Sequence, residues 1–178
     1  KHGIRVKDLD YVQIHPTSLY TGRSGRAFLM SESLRGEGAI LVGKDGQRFA
    51  DERLPRDLLT KAIYTQMEKD RLPYVRMLLK GHVEGSIAGR FPGIHAHCLQ
   101  EGYDLTEDYI PAVPAQHYFM GGIEVDLQSK TSLANLYAAG ETSCSGVHGK
   151  NRLASNSLLE SLVFSKRAAK AIEAAFQR

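Results

Sequence analysis

Residues 146–160 read GVHGKNRLASNSLLE, and they lead into the strongest predicted helix of the chain, 153–176. Glycines surround His148 in the loop, and Arg152 stands at the start of the helix. Apolar residues recur at helical spacing and give the helix an apolar face formed by Leu158, Leu159, Leu162, Val163, Ala169 and Ile172. Backbone N–H groups at a helix start attract anions, and His and Arg side chains suit a carboxylate or dianionic ligand. The stretch therefore predicts the end of an α/β domain with an anion-binding loop.

Strand and helix patterns alternate along the rest of the chain. The first elements are a strand within 9–20 that ends at a turn at His15 and Pro16, a short helix over 27–37 and a strand over 39–42. A helix over 56–71 follows, with Asp57 as N-cap, and then a helical region over 81–105 that its glycines weaken. Three short strands are predicted between 109 and 141. We expect two parts, an α+β domain over residues 1–110 and the closing strands and last helix of an α/β domain over 111–178. The second part is too short for a complete α/β domain, so we expect a piece of a longer protein.

Composition excludes several classes of protein. The 178 residues carry 23 Lys and Arg against 20 Asp and Glu, and this net charge of +3 is too small to indicate nucleic acid as a partner. No apolar run approaches the ~20 residues of a membrane-spanning helix, and residues 1–5 contain no signal-peptide core. Cys98 and Cys144 have no CxxC spacing and indicate reduced thiols of a cytoplasmic protein, although the sequence leaves a single disulfide open.

Common metal and nucleotide motifs are missing from the sequence. His95, His97 and Cys98 lie close together, but their spacing does not match a zinc site, so we interpret them as faces of a helix and predict no metal. The sequence contains no GxxxxGK[ST] loop, no GxSxG nucleophile turn and no GxGxxG dinucleotide fingerprint.

Four further loops combine His or Arg with Gly or Pro. They contain His15-Pro16-Thr17, Ser31 to Gly38, Pro55-Arg56-Asp57 and His117 to Gly122. Each loop alone has a structural explanation; Glu32 and Arg35, for example, are spaced as a surface ion pair of a helix. Their joint occurrence with the loop that precedes the last helix favours a binding site for a ligand that carries carboxylates.

The same segments carry a family resemblance. In order, HPT, SESLRGEGA, DGQRF, RD, HYFMGGI, LYAAGE and GVHGKNRLASNSLLE resemble the flavoprotein family of succinate dehydrogenase and fumarate reductase. The resemblance covers residues 9–176, and HYFMGGI, NRLASNSLLE and the short stretch between Arg48 and Arg56 look more like its L-aspartate oxidase branch. It implies an α+β fold in which 1–110 is the substrate-capping domain and 111–178 returns into the α/β FAD-binding domain.

The resemblance also implies a reaction. Members of the family use FAD to exchange a hydride with a four-carbon dicarboxylate, and the L-aspartate oxidase branch oxidises L-aspartate to iminoaspartate with oxygen or fumarate as electron acceptor. This is the first step of quinolinate and NAD biosynthesis, which would place quinolinate synthase downstream as a partner in the cytoplasm.

Residue roles follow from the same resemblance. His15, Ser31, His117 and Arg152 would bind the substrate carboxylates, because two carboxylates need polar or cationic groups at both ends. Arg56 would transfer the proton, and Glu32 with Arg35 would relay it towards solvent. The residues that would contact FAD are Glu141, Ser157 and Leu158.

Two alternatives stay open, and one feature of the family is missing. The alternatives are a respiratory fumarate reductase or succinate dehydrogenase flavoprotein, and a non-catalytic module that binds dicarboxylates. The N-terminal half that carries the family's GxGxxG loop does not occur in this sequence. We therefore expect this chain alone to bind FAD weakly or not at all and to be inactive.

Overall fold

Seven strands and five α-helices are distributed through residues 3–177, the part of the chain that this computed structural model describes. The strands are β1 (Val6–Lys7), β2 (Val12–Leu19), β3 (Ile40–Val42), β4 (Val75–Leu78), β5 (Ile110–Phe119), β6 (Gly122–Glu124) and β7 (Ser143–Cys144). The α-helices are α1 (Glu32–Gly36), α2 (Arg56–Asp70), α3 (Ile87–Arg90), α4 (Pro92–Gln100) and α5 (Asn156–Phe176), and a 3₁₀ turn spans Gly140–Thr142. The contacts between these elements divide the chain into two compact units.

The first unit, Ile14–Ala115, is called the central unit here. Its sheet has the strand order β2-β5-β4-β3. β4 pairs antiparallel with both neighbours, so that Met77 lies opposite Leu41 on one side and Ile110 on the other. Alternating residues of this sheet and one face of α2, formed by Leu59, Ile63 and Gln66, are buried together. A continuous apolar core results, and its buried members all belong to the central unit.

The second unit combines residues 3–13 with 116–177 and is called the terminal unit. Its sheet has the order β1-β6-β7, with β1 antiparallel and β7 parallel to β6. Gly121, just before β6, approaches the carbonyl of Asp8 so closely that a Cβ atom there would lie 1.9 Å from the carbonyl oxygen. A Cβ atom at Gly122, the first residue of β6, would lie 2.5 Å from the Thr142 carbonyl oxygen, so close backbone packing requires glycine at both positions.

The prediction of a turn at His15 and Pro16 is wrong. Both residues lie inside β2, which continues to Leu19 and is buried along most of its length. β2 stands at the edge of its sheet, where a proline without an N–H group does not interrupt a hydrogen-bond ladder. The His-Pro pair therefore carries the strand onward.

The helix boundaries also differ from the prediction. The predicted helix 27–37 is confined to α1, because Leu29 forms an isolated bridge with Ser18 instead. α2 begins at Arg56 with Pro55 as N-cap, so Asp57 lies in the first turn and the prediction of Asp57 as N-cap is wrong. A carboxylate in the first turn still stabilises the positive end of the helix dipole.

The face that the last helix buries is not the apolar face identified in the sequence. Leu158, Leu159 and Leu162 are 77%, 60% and 69% exposed, and the helix starts three residues later than predicted, at Asn156. The face that packs within the terminal unit consists of Glu160, Phe164 and Ala168. Periodicity thus identified the helix correctly but could not assign its buried side.

The remaining predictions concern the region 81–105, the strands after residue 109, the two cysteines and membrane-spanning helices. The region 81–105 contains two short helices, α3 and α4, and the three strands predicted between 109 and 141 correspond to β5, β6 and a bridge between Lys130 and Tyr137. Cys98 and Cys144 are both buried and free. Within residues 3–177 no helix is long and apolar enough to cross a membrane. The division into domains at 110/111 stays a prediction.

Candidate functional site

An ion pair between α1 and α2 is the centre of the charged groups in the central unit. The Arg56 guanidinium donates from Nη2 to Glu32 Oε2 at 2.5 Å and from Nε to the same oxygen at 3.2 Å. Arg56 is largely buried, with its side chain 11% exposed, while Glu32 is half exposed. The pair forms because both residues stand in the first turns of their helices. Two of the three residues predicted for proton transfer are thus in direct contact.

Arg35, the third of these residues, is buried one turn further along α1. Its Nη1 donates to the backbone carbonyl of Glu52 at 2.6 Å, and its Nε and Nη2 find no hydrogen-bond partner among residues 3–177. The Glu52 carboxylate is itself buried and accepts from the Leu41 N–H at 2.7 Å and from Arg48. Glu52 was not predicted as a site residue. The only sequence signal was its position in a run of charged residues, three residues before Pro55-Arg56-Asp57.

Burial and neighbouring charges shift the pKa values of Glu32 and Arg35, the two residues of the predicted proton relay. Burial raises the pKa of Glu32, but the hydrogen bond and charge of Arg56, with smaller contributions from Arg35 and His15, bring it below its ordinary value. Burial lowers the pKa of Arg35, which Glu32 partly restores and Arg56 lowers further. A carboxylate held ionised between two guanidinium groups is a suitable acceptor in a short proton path.

Two predicted substrate ligands also belong to the central unit. His15 is 3% exposed on β2, and its Nδ1 accepts from the Thr17 N–H at 3.3 Å. Ser31 is the N-cap of α1, where its hydroxyl accepts from the Ser33 N–H at 3.2 Å. Ser31 therefore has a structural role, and it also places a hydroxyl directly beside Glu32.

Arg152 is the centre of the polar groups in the terminal unit. Its Nε donates to Ser157 Oγ at 2.5 Å, its Nη1 donates to Gln13 Oε1 at 2.8 Å, and its guanidinium lies 3.9 Å from the centroid of the Tyr118 ring. Contacts on three sides hold a long side chain in one orientation. Such fixed placement suits an arginine that must present its charge to a carboxylate.

Gln13 was missed in the sequence and fixes the backbone around Arg152. Besides accepting from the guanidinium, it donates from Nε2 to the Arg152 carbonyl at 2.7 Å and to Asn151 Oδ1 at 3.2 Å. Gln13 is 4% exposed, and it precedes His15 by two residues on β2. The only available signal was this spacing, because residues two apart on a strand share a face.

Tyr118 was also missed as a site residue, although it follows His117. Burial raises the pKa of its phenol, a hydrogen bond with Ser157 lowers it, and the charges of Glu160 and Glu141 raise it. His117, the predicted substrate ligand, lies on β5 and is partly buried. Arg152, Tyr118 and Ser157 thus form one connected group in the terminal unit.

The predicted flavin contacts occupy two places in the terminal unit. Glu141 accepts from the Phe119 N–H at 2.9 Å, which ties the 3₁₀ turn to the end of β5. Ser157 and Leu158 lie in the first turn of α5, where Ser155 as N-cap makes no side-chain hydrogen bond. The start of this 21-residue helix therefore offers backbone N–H groups to a polar ligand edge. These features fit the binding of a flavin by Ser157 and Leu158.

The chain belongs to the FAD binding domain family, whose model matches residues 1–158. It is 54% identical over 170 residues to the L-aspartate oxidase of Clostridium perfringens and 55% identical over 173 residues to that of Clostridium acetobutylicum. These matches cover 95% and 97% of this chain but 39% and 40% of the relatives, so the chain spans about two fifths of the length of the curated relatives it matches.

A solved structure shows the same fold. The FrdA chain of the E. coli quinol fumarate reductase superposes with a TM-score of 0.82 at 35% identity, and the match covers 94% of this chain and 32% of that chain. The predicted resemblance to the succinate dehydrogenase and fumarate reductase flavoproteins, the α+β fold and FAD as the cofactor are thereby confirmed. The roles of individual site residues stay predictions.

Proposed function

We propose that this chain supplies the substrate-binding part, and a portion of the FAD-binding part, of an enzyme that oxidises L-aspartate to iminoaspartate. The observation that carries the proposal is the identity of 54–55% to L-aspartate oxidases over 95–97% of the chain. Oxygen or fumarate would accept the electrons, quinolinate synthase would consume the iminoaspartate, and the cytoplasm would be the compartment.

In this proposal the substrate carboxylates are bound by His15, Ser31, His117 and Arg152. Arg152 contributes most, because a guanidinium presents parallel N–H groups to a carboxylate and its orientation is already set by Gln13 and Ser157. Fixing the substrate in one pose supplies much of the rate, since the reacting carbon must be held against the hydride acceptor.

Arg56 would accept the proton that leaves the substrate. An arginine is a weak base, so the proton must move on quickly, and the 2.5 Å contact with Glu32 provides the next acceptor. Arg35 is buried one helical turn away, and its charge would keep Glu32 ionised before the transfer and favour release of the proton from Glu32 towards solvent afterwards.

Glu141, Ser157 and Leu158 would hold the FAD. When bound, FAD supplies the two-electron acceptor for the hydride that leaves the α-carbon of aspartate. The chain's own residues then bind, orient and remove a proton, in keeping with the usual division of work between a protein and its cofactor.

A chimera tests the proposal, with this chain in place of the matching 173 residues of the Clostridium acetobutylicum L-aspartate oxidase. We expect the chimera to retain FAD and to release peroxide when aspartate is added, while the 178-residue chain alone retains little flavin. A chimera that binds FAD without turning over aspartate or succinate would support the non-catalytic dicarboxylate-binding module instead.

The respiratory alternative rests on the likeness to quinol fumarate reductase. It predicts that succinate, and not aspartate, reduces the flavin of the chimera. Recording the flavin absorbance after addition of each dicarboxylate under anaerobic conditions separates the two activities. Reduction by succinate alone would overturn the assignment to aspartate oxidation.

A further inference from the structure

Two buried side chains of the terminal unit, His148 and Glu160, and the half-buried Ser145 beside them have no part in the proposed reaction. Ser145 and His148 belong to the loop before α5, and Glu160 lies on α5 itself. The Ser145 hydroxyl donates to Glu160 Oε1 at 2.7 Å, and Glu160 Oε2 lies 3.7 Å from His148 Nε2. The His148 and Glu160 side chains are 7% and 2% exposed, so this cluster is shielded from solvent.

The cluster is incompletely satisfied. Glu160 Oε2 and both ring nitrogens of His148 are buried without a hydrogen-bond partner among residues 3–177. A buried carboxylate oxygen without a partner is costly, and a cation at ion-pair distance is the compensation most readily available to it. His148 and Glu160 therefore form a buried imidazole–carboxylate pair that is not closed by a hydrogen bond.

Tyr118 connects the pair of His148 and Glu160 to Arg152. The edge of the His148 ring meets the Tyr118 ring, with centroids 5.6 Å apart and planes at 87°. Tyr118 in turn lies against the Arg152 guanidinium at 3.9 Å. The connection is closed by α5, because Ser157 receives the Arg152 Nε–H one turn before Glu160.

We propose that Glu160 is a positioning residue that acts with His148 to fix the Tyr118 ring and, through it, the guanidinium of Arg152. The inference rests on the proposed function, in which Arg152 binds a substrate carboxylate. Glu160 is close enough for its charge to act on Tyr118, whose ring attracts the Arg152 cation. Losing that charge loosens Arg152 without touching the substrate itself.

A purely structural role for Glu160 gives a different expectation. If the carboxylate served only to tie the loop to α5 through Ser145, an amide of the same size would replace it, because its oxygen still accepts the Ser145 hydrogen bond. Glu160→Gln therefore separates charge from shape. Glu173→Gln is the matched control, since it makes the same change at an exposed position of the same helix.

The test measures the Nε–H resonance of Arg152 by ¹⁵N NMR in the 178-residue chain. We expect Glu160→Gln to speed the hydrogen exchange of this group by roughly tenfold or more, because its guanidinium is no longer held. The same variant should lower the pKa of Tyr118, which the charge of Glu160 raises. Glu173→Gln should leave both readouts unchanged.

A second variant guards against misfolding of the first. His148→Gln removes the aromatic edge and the imidazole that faces Glu160 while leaving Glu160 in place, and it should also speed exchange at Arg152. Unchanged Arg152 exchange and an unchanged Tyr118 titration in both variants would overturn the proposal. Loss of the helical circular dichroism signal in both would overturn it in favour of a structural role.

These NMR readouts contain neither flavin nor substrate, so they are independent of the proposed function. In the chimera described above, Glu160→Gln should raise the KM for aspartate by roughly tenfold and change kcat less than about twofold, because uniform binding is lost. If the chimera turns over no dicarboxylate, the proposed function fails while the Arg152 exchange still reports on positioning.

Discussion

In the central unit the charged groups Glu32, Arg35 and Arg56 are attached to helices that pack on a continuous apolar core. In the terminal unit Arg152 is held by an amide, a hydroxyl and an aromatic ring, and α5 leaves Leu158, Leu159 and Leu162 exposed. The first unit thus places charges by burying the scaffold around them. The second places a charge by local contacts near the start of one helix. In the central unit we therefore expect a substitution that weakens the core to disturb the charged groups as well. In the terminal unit we expect the contacts of Arg152 to change with little effect on stability.

Matched leucine truncations give the largest expected contrast. Leu59 on α2 is fully buried, so Leu59→Ala should lower the free energy of unfolding by about 2–5 kcal/mol. Leu162 on α5 is 69% exposed, so Leu162→Ala should change it by less than about 0.5 kcal/mol. Urea unfolding followed by circular dichroism measures both. Equal losses would mean that α5 is buried in solution and that the contrast between the units is wrong.

The next contrast concerns the chemical step. In the chimera, Arg56→Ala should lower the rate of flavin reduction by roughly 10²–10⁴-fold and weaken aspartate binding much less, because a proton acceptor is lost. Stopped-flow absorbance gives the rate and its dependence on aspartate concentration. Arg53→Ala is the control, since Arg53 is exposed three residues earlier. Equal losses in rate and binding would show that Arg56 only binds the substrate.

Arg152 should give the opposite pattern. Arg152→Lys keeps the charge but removes the fork that contacts Ser157 and Gln13, so the KM for aspartate should rise by roughly tenfold or more with little change in kcat. Steady-state kinetics of the chimera measures both constants. Arg167→Lys, at an exposed position of α5, should have no effect. A fall in kcat without a change in KM would contradict the assigned role.

The two thiols give the smallest contrast. Burial raises the pKa of Cys98 to about 11, and burial together with Asp8 raises the pKa of Cys144. A raised pKa leaves little reactive thiolate at pH 8, so both thiols should react slowly with a maleimide in the native chain and quickly in concentrated urea. Cys144 should react roughly tenfold faster than Cys98, because Cys98 lies within the apolar core of the central unit while Cys144 lies outside that core and is 4% exposed. Mass spectrometry of digested, time-sampled protein would reveal equal rates if this comparison fails.

Local sequence predicted most of the elements but few of the boundaries. The predicted helix over 56–71 matches α2 to within one residue, because the signals that start and stop a helix are local. The turn expected at His15 and Pro16 failed because an edge strand tolerates proline, and edge or centre is decided by the pairing of distant strands. The buried face of α5 could not be predicted for a similar reason, since the exposure of each side chain depends on what packs against the helix.

The sequence by itself determined the residue types at the candidate site and the family of the chain. His15, Glu32, Arg56, His117 and Arg152 could be identified because their Gly- and Pro-framed motifs are local. Only the tertiary structure decided which neighbouring groups contact the charged residues of the candidate site and fix their orientation. Gln13 contacts Arg152 across 139 positions of sequence, and Arg35 donates to Glu52 across 17. Such partners are ordinary polar residues in the sequence, and they acquire a role only when folding buries them beside a charge that must be satisfied.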